Sequence, residues 1–293
     1  MIEENDAAVV KLAIWDGFEI NEVYGERTDG KTPLLEAIRL PRPDIAGILL
    51  GAGADTELKT SQDITPLMYS ILFASSPDGE RRANAVKIFD MLLDHGADVN
   101  YNGTFGGVRG MTPLGQAASG IEYEAALYMT KKLLDAGAEV NPPLPEDHGL
   151  PPIFWAFSPI VLDWERKHEN RIDMIKLLLA AGADPNTRLP DGMTLLHAAA
   201  MVDDGENIKL LLDAGADKRA RDKDGKTPFD TAMENSNFEV MLILTCSKAS
   251  PHNFMKKAQD KLHISTRWSI IMEVGDRPYG RSAYYGGVVH HGR

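Results

Sequence analysis

The sequence predicts an all-α solenoid of stacked helix pairs, followed by a short tail of different character. Three observations predict it. A leucine-rich segment ending in Gly-Ala-Asp or a near variant recurs along the chain, each copy is followed by a Thr-Pro-Leu type restart, and the last 47 residues show neither feature. With 43% hydrophobic and 25% charged residues, the 293-residue chain has the composition of a folded domain able to bury a core.

The closing motif appears as Gly53-Ala54-Asp55, Gly96-Ala97-Asp98, Gly137-Ala138-Glu139, Gly182-Ala183-Asp184 and Gly215-Ala216-Asp217, with a weaker copy from Gly17 to Asn21. Glycine ends a helix at low cost because it accepts the left-handed conformation. The restarts place Thr or its equivalent at 32, 65, 112, 151, 194 and 227, giving intervals of 33, 47, 39, 43 and 33 residues. Thr is a good N-cap and Pro suits the first helical position, so Thr32-Pro33, Thr65-Pro66, Thr112-Pro113 and Thr227-Pro228 begin helices. Asp-Gly pairs between the two signals favour tight turns. One such helix pair leaves an apolar face that only a stacked neighbour can cover.

This pattern resembles the ankyrin-repeat family, whose units have a 33-residue period and a Thr-Pro-Leu-His-x-Ala signature. The resemblance covers residues 6–246 and implies stacked helix-turn-helix units with projecting hairpin-like fingers. Only Thr194 to Ala199 keeps the signature histidine, His197, which is expected to be structural; Leu35, Met68, Gly115, Phe154 and Asp230 stand at that position elsewhere. The expected domain is 1–246, with a half-repeat cap at 6–28, full units at 29–61, 62–108, 109–147, 148–190 and 191–223, and a C-terminal cap at 224–246. Residues 247–293 form a basic extension that is not ankyrin-like.

The longer intervals carry insertions. Those at Ser75 to Arg82 and Ser158 to Arg171 fall around the connection between paired helices, with Glu80, Arg81 and Arg82 expected in a solvated loop. The longest fingers run from Tyr101 to Gly110, glycine-rich and expected to be flexible, and from Pro142 to Pro151, proline-rich and expected to be stiff.

In ankyrin proteins, as the resemblance implies, partners sit against the finger tips and the adjoining first-helix face. Taking the positions one before and four, seven and eight after each Thr-equivalent, Ile64, Tyr69, Leu72, Phe73, Met111, Leu150, Trp155, Met193 and Met201 form one exposed apolar strip. Tyr101, Phe105 and Arg109 extend it onto the glycine-rich finger. Six helix pairs span about 50 Å, room for the ~800 Å² per partner that a stable interface needs.

Charge and motif searches narrow the chemistry. The net charge of −12 divides into −17 for residues 1–246 and +5 for the tail, which argues against a nucleic-acid surface and suits a basic protein partner. No apolar run approaches the roughly 20 residues of a membrane helix. A single cysteine, Cys246, and no charged start leading into an apolar run point to a reducing, cytoplasmic setting. Phosphate-loop, zinc-protease helix and paired-cysteine motifs are absent, so no cofactor, metal or catalytic residue is expected. The expected function is non-enzymatic protein binding by a monomer, as an inhibitory, immunity, antitoxin or effector-like adaptor. The alternatives are an enzyme or enzyme subunit using tail residues, with Arg277, Arg281, His290 and His291 the candidates, and a self-associating scaffold.

Overall fold

Alternating helix starts and glycine stops produce thirteen helices among the described residues of the computed structural model, which are 2–23, 32–105, 108–143, 150–162 and 171–245, with the side chains of 2–5, 105, 108, 158–162 and 171 excepted. The first helices of the units are α2 (Pro33–Arg39), α4 (Pro66–Ala74), α6 (Pro113–Ala118), α8 (Pro152–Leu162), α10 (Leu195–Met201) and α12 (Pro228–Glu234). The second helices are α3 (Pro43–Gly51), α5 (Gly79–Asp94), α7 (Tyr123–Asp135), α9 (Arg171–Ala180), α11 (Gly205–Asp213) and α13 (Phe238–Thr245). Before them stands α1 (Ile2–Trp15), the second helix of a half unit, which starts upstream of the expected cap boundary at 6.

First helices pack on first helices, from α2 through α12, and α1, α3, α5 and α7 likewise pack in series, so two helical layers enclose the apolar interior. Leu34, Leu35, Ile38, Leu67, Ile71, Ile88, Phe89, Leu92 and Leu114 are among its fully buried members. The fold is thus the all-α solenoid read from the repeats.

The motif residues each have a bond to make. Thr32, Thr65 and Thr112 accept the backbone N–H three residues on, at 3.3, 3.3 and 3.1 Å, capping α2, α4 and α6. Gly17, Gly53, Gly96, Gly137, Gly182 and Gly215 all have φ between 78° and 95°, the left-handed region that glycine enters without strain. Ala54 N–H then reaches back to Leu49 O at 2.9 Å and Ala97 N–H to Leu92 O at 3.0 Å, closing the helix ends.

Both inter-helix insertions carry helix where loop was expected. Residues 79–82 belong to α5, which is 16 residues long against nine in α3, because Asp78 accepts from the N–H groups of Glu80 and Arg81 and starts the helix early. Arg82 bridges to Glu122 at 3.0 Å and donates to Ser76 O at 2.8 Å, which ties it to the next unit rather than to solvent. In the fourth unit, α8 continues to Leu162, and residues 163–170 lie outside the described residues.

The Tyr101 to Gly110 finger contributes two paired strands among its described residues. β1 (Gly103–Phe105) pairs antiparallel with β2 (Val108–Met111), with a bulge between Gly103 and Thr104. A Cβ at Gly103 would meet the Tyr101 ring at 2.2 Å, so glycine here lets the ring lie down on the backbone.

Candidate partner-binding surface

The expected apolar strip divides into buried and open residues. Ile64, Tyr69 and Met111 are 5%, 8% and 3% exposed and belong to the core, which corrects their assignment to an open surface. The cause is local. Ile64 and Met111 turn inward just before their threonine caps, and Met111 Sδ lies 3.6 Å from where a Cβ on Gly115 would stand. Tyr69 is closed over by Phe73, with ring centroids 4.9 Å apart and planes at 88°.

Leu72 and Met201 stay open, at 39% and 42% exposure, and both stand seven residues after their threonine. Phe73, Tyr101, Leu150, Trp155 and Met193 are half-buried, and Arg109 is exposed. Phe105 lies in β1, and its side chain is outside the described residues. The apolar surface is therefore a row of separate anchors on a packed floor. Ion pairs bound this face at both ends: Glu36 with Arg39 on α2, and Lys226 with Glu234, 2.8 Å apart, at α12.

Between these ends, Gln116 and Trp155 occupy the same position in consecutive units. Gln116 is 5% exposed, and both its amide atoms, like the Trp155 Nε1, are buried without a hydrogen-bond partner. A Cβ on Gly115 would stand 2.9 Å from the Trp155 ring, so the glycine that replaces the signature histidine in this unit makes room for the indole.

Sequence inspection overlooked a polar cluster joining two fingers. Lys59 bonds Asp63 at 2.7 Å and the Tyr101 hydroxyl at 3.0 Å, and its ammonium lies 4.8 Å from the Tyr101 ring centre. Asp63, with φ of 64°, also accepts from Thr104 N–H at 3.3 Å. The bond to Lys59 holds the Asp63 carboxyl below its ordinary range, and the bond to Asp63 raises the Lys59 ammonium. Lys59 and Tyr101 are 42 residues apart, so only the stacking of units brings them together.

His197 is structural, as expected. Its Nδ1 accepts from Thr194 N–H at 3.1 Å, which leaves Nε2 to donate to Lys226 O at 3.0 Å. At the equivalent place in the last unit, Asp230 accepts from Thr227 N–H at 2.8 Å and from the Thr227 hydroxyl at 2.7 Å. Among the described residues there is no group of three metal-ligating side chains and no helix long and apolar enough to cross a membrane. Arg277, Arg281, His290 and His291, like Cys246, lie outside them.

Residues 166–255 match the family model for ankyrin repeats, in three copies. The chain is an ankyrin-repeat protein. Its fold is similar to the crystal structure of the ankyrin repeat domain of Bcl-3, described as a unique member of the IkappaB protein family, with 22% identity, a TM-score of 0.57, and coverage of 81% of this chain and 91% of that one. No curated protein sequence matches. Ankyrin repeats are protein–protein interaction modules, and two open apolar residues of this ankyrin-repeat protein, Leu72 and Met201, lie on first helices.

Proposed function

We propose that this ankyrin-repeat protein is a non-enzymatic capture module that holds another protein against its first-helix face and the Tyr101 to Gly110 finger. The observation that carries this reading is the pair Leu72 and Met201: large apolar side chains, open to solvent, at one repeat position in two units, between ion-paired ends. Apolar anchors surrounded by a polar rim are the usual anatomy of a protein interface. Phe73, Trp155, Met193 and Leu150 supply the half-buried floor, and Tyr101 and Arg109 the finger contacts. The acidic repeat region suits a partner with a basic face, because complementary charge speeds encounter. Holding a partner in this way fits an inhibitory or neutralising role in the cytoplasm, with the capturing chain a monomer.

The test is affinity capture from native lysate by wild type and by Leu72→Asp/Met201→Asp. Both sites are open, so the variant should fold normally and lose the protein that wild type retains. Capture unchanged by the two aspartates, in a variant of wild-type melting temperature, would refute the assigned face.

A further inference from the structure

The exposed apolar side chains share a place in the repeat. Among the described residues from 32 to 245, Tyr128 and Phe238 are two such large side chains, and the other five all stand at the C-terminal end of a first helix or in the turn just after it. Leu40 follows α2, Leu72 lies in the last turn of α4, Ile121 is three residues past α6, Met201 closes α10, and Met233 is the last but one of α12. They are 52%, 39%, 56%, 42% and 38% exposed. The corresponding stretch of α8 has side chains outside the described residues.

First helices pack side by side, so these ends form one edge of the stack, and bonds between units tie it together. Arg81 donates to Arg39 O at 3.4 Å, next to Leu40. Arg82 pairs with Glu122 at 3.0 Å, next to Ile121, and Asn237 Nδ2 donates to Met201 O at 3.0 Å. The edge is also acidic. Its guanidinium groups at Arg39, Arg42 and Arg82 are already ion-paired, with Glu36, Asp44 and Glu122. Asp78, Glu80, Glu124, Asp203, Glu206 and Glu239 are exposed and form no ion pair among the described residues. Four of these carboxylates stand in the first turns of second helices, where the helix dipole favours them. Their charge nevertheless faces solvent beside the apolar row.

We infer, on the footing that the first-helix face is the capture surface, that a basic amphipathic helix of the partner lies along this edge, across the ends of the first helices. An apolar row bordered by carboxylates is the complement of a helix with one apolar stripe and basic flanks. The pitch also agrees. Packed helices stand about 8–10 Å apart, and seven residues of an α-helix advance about 10.5 Å. One apolar residue in every seven therefore keeps pace with the units and meets Leu40, Leu72, Ile121, Met201 and Met233 in turn.

The probe is a synthetic helix of about 29 residues, with leucine at every seventh position and lysine and alanine between. Titrated into the full chain, it should shift the methyl resonances of all five row residues together, saturably and at 1:1 stoichiometry. Leu40→Ser/Ile121→Ser, two exposed sites, should weaken it at least about tenfold at an unchanged melting temperature. Glu80→Gln/Glu206→Gln should weaken it about threefold at low salt, and a peptide with glutamate in place of lysine should not bind. No shift at millimolar peptide, shifts confined to one unit, or affinity indifferent to the two serines would overturn the row. Equal binding of the glutamate peptide would overturn the basic occupant. A captured partner lost by Leu72→Asp/Met201→Asp but held undiminished by Leu40→Ser/Ile121→Ser would overturn the stack-long helix and leave capture on the first-helix face standing. A concentration-dependent dimer of the free chain, dispersed by the same serines, would overturn the assignment by making a second copy the occupant.

Discussion

Asn141 ties two units together with one side chain. Its Oδ1 accepts from Asp184 N–H at 3.0 Å and its Nδ2 donates to Gly182 O at 2.8 Å. Asn100 makes the same pair of bonds to Glu139 and Gly137, and Asn186 to Asp217 and Gly215. Where the first full unit has Glu57 in place of asparagine, its Oε1 accepts from Asp98 N–H at 3.0 Å. The recurrence of these residues was visible in the sequence, but not their bonds, because each joins segments 29 to 43 residues apart that meet only when units stack. Asn141→Ala removes both bonds and should cost about 1–2 kcal/mol in urea unfolding; a loss under a few tenths would show that water replaces them. Asp230 gives a pH signature at the same scale. Its bonds from Thr227 hold its pKa below the ordinary carboxylate value. A carboxyl depressed on folding stabilises above its unfolded pKa, and that contribution disappears as pH falls through the folded value. The melting-temperature gap between wild type and Asp230→Ala should therefore be widest near neutrality and narrow below about pH 4. A gap constant down to pH 3 would contradict this.

At the level of elements, helix starts were the most legible features and the insertions the least. Threonine caps and glycine stops act within three or four residues, so local pattern reveals them. Residues 79–82 read as loop because they exceed the basic repeat length, yet Asp78 caps them and Arg82 anchors them to Glu122 across the unit boundary. In the glycine-rich finger, Gly103 serves as a floor for the Tyr101 ring, a contact that composition does not announce. The Gly115 and Trp155 pair is the sharpest case. Loss of the signature histidine in the third unit looked like a local departure, and its cause is an indole one unit further on, 40 residues away. Gly115→Ala should displace that ring and cost about 1–3 kcal/mol through overpacking, read by urea unfolding and by the ¹⁹F resonance of labelled Trp155. An unmoved resonance would show that the contact yields without the ring.

Over the whole molecule, the two layers divide labour. The second helices and the inward side of the first helices build the interior, and what remains open on the first-helix layer decides what can bind. Sequence position alone placed Ile64, Tyr69 and Met111 on that surface because it counts residues from the cap without knowing which way each side chain turns. Burial removes those three and leaves Leu72 and Met201, with Phe73, Trp155 and Met193 beneath.

The most direct measurement is calorimetric affinity for the captured partner, comparing wild type with Leu72→Asp/Met201→Asp at matched folding. Interface anchors of this kind carry about 2 kcal/mol or more each, so the double variant should bind at least about a hundredfold more weakly at an unchanged melting temperature. Affinity within a few-fold of wild type, or a loss that tracks an equal loss of stability, would contradict capture on the first-helix face.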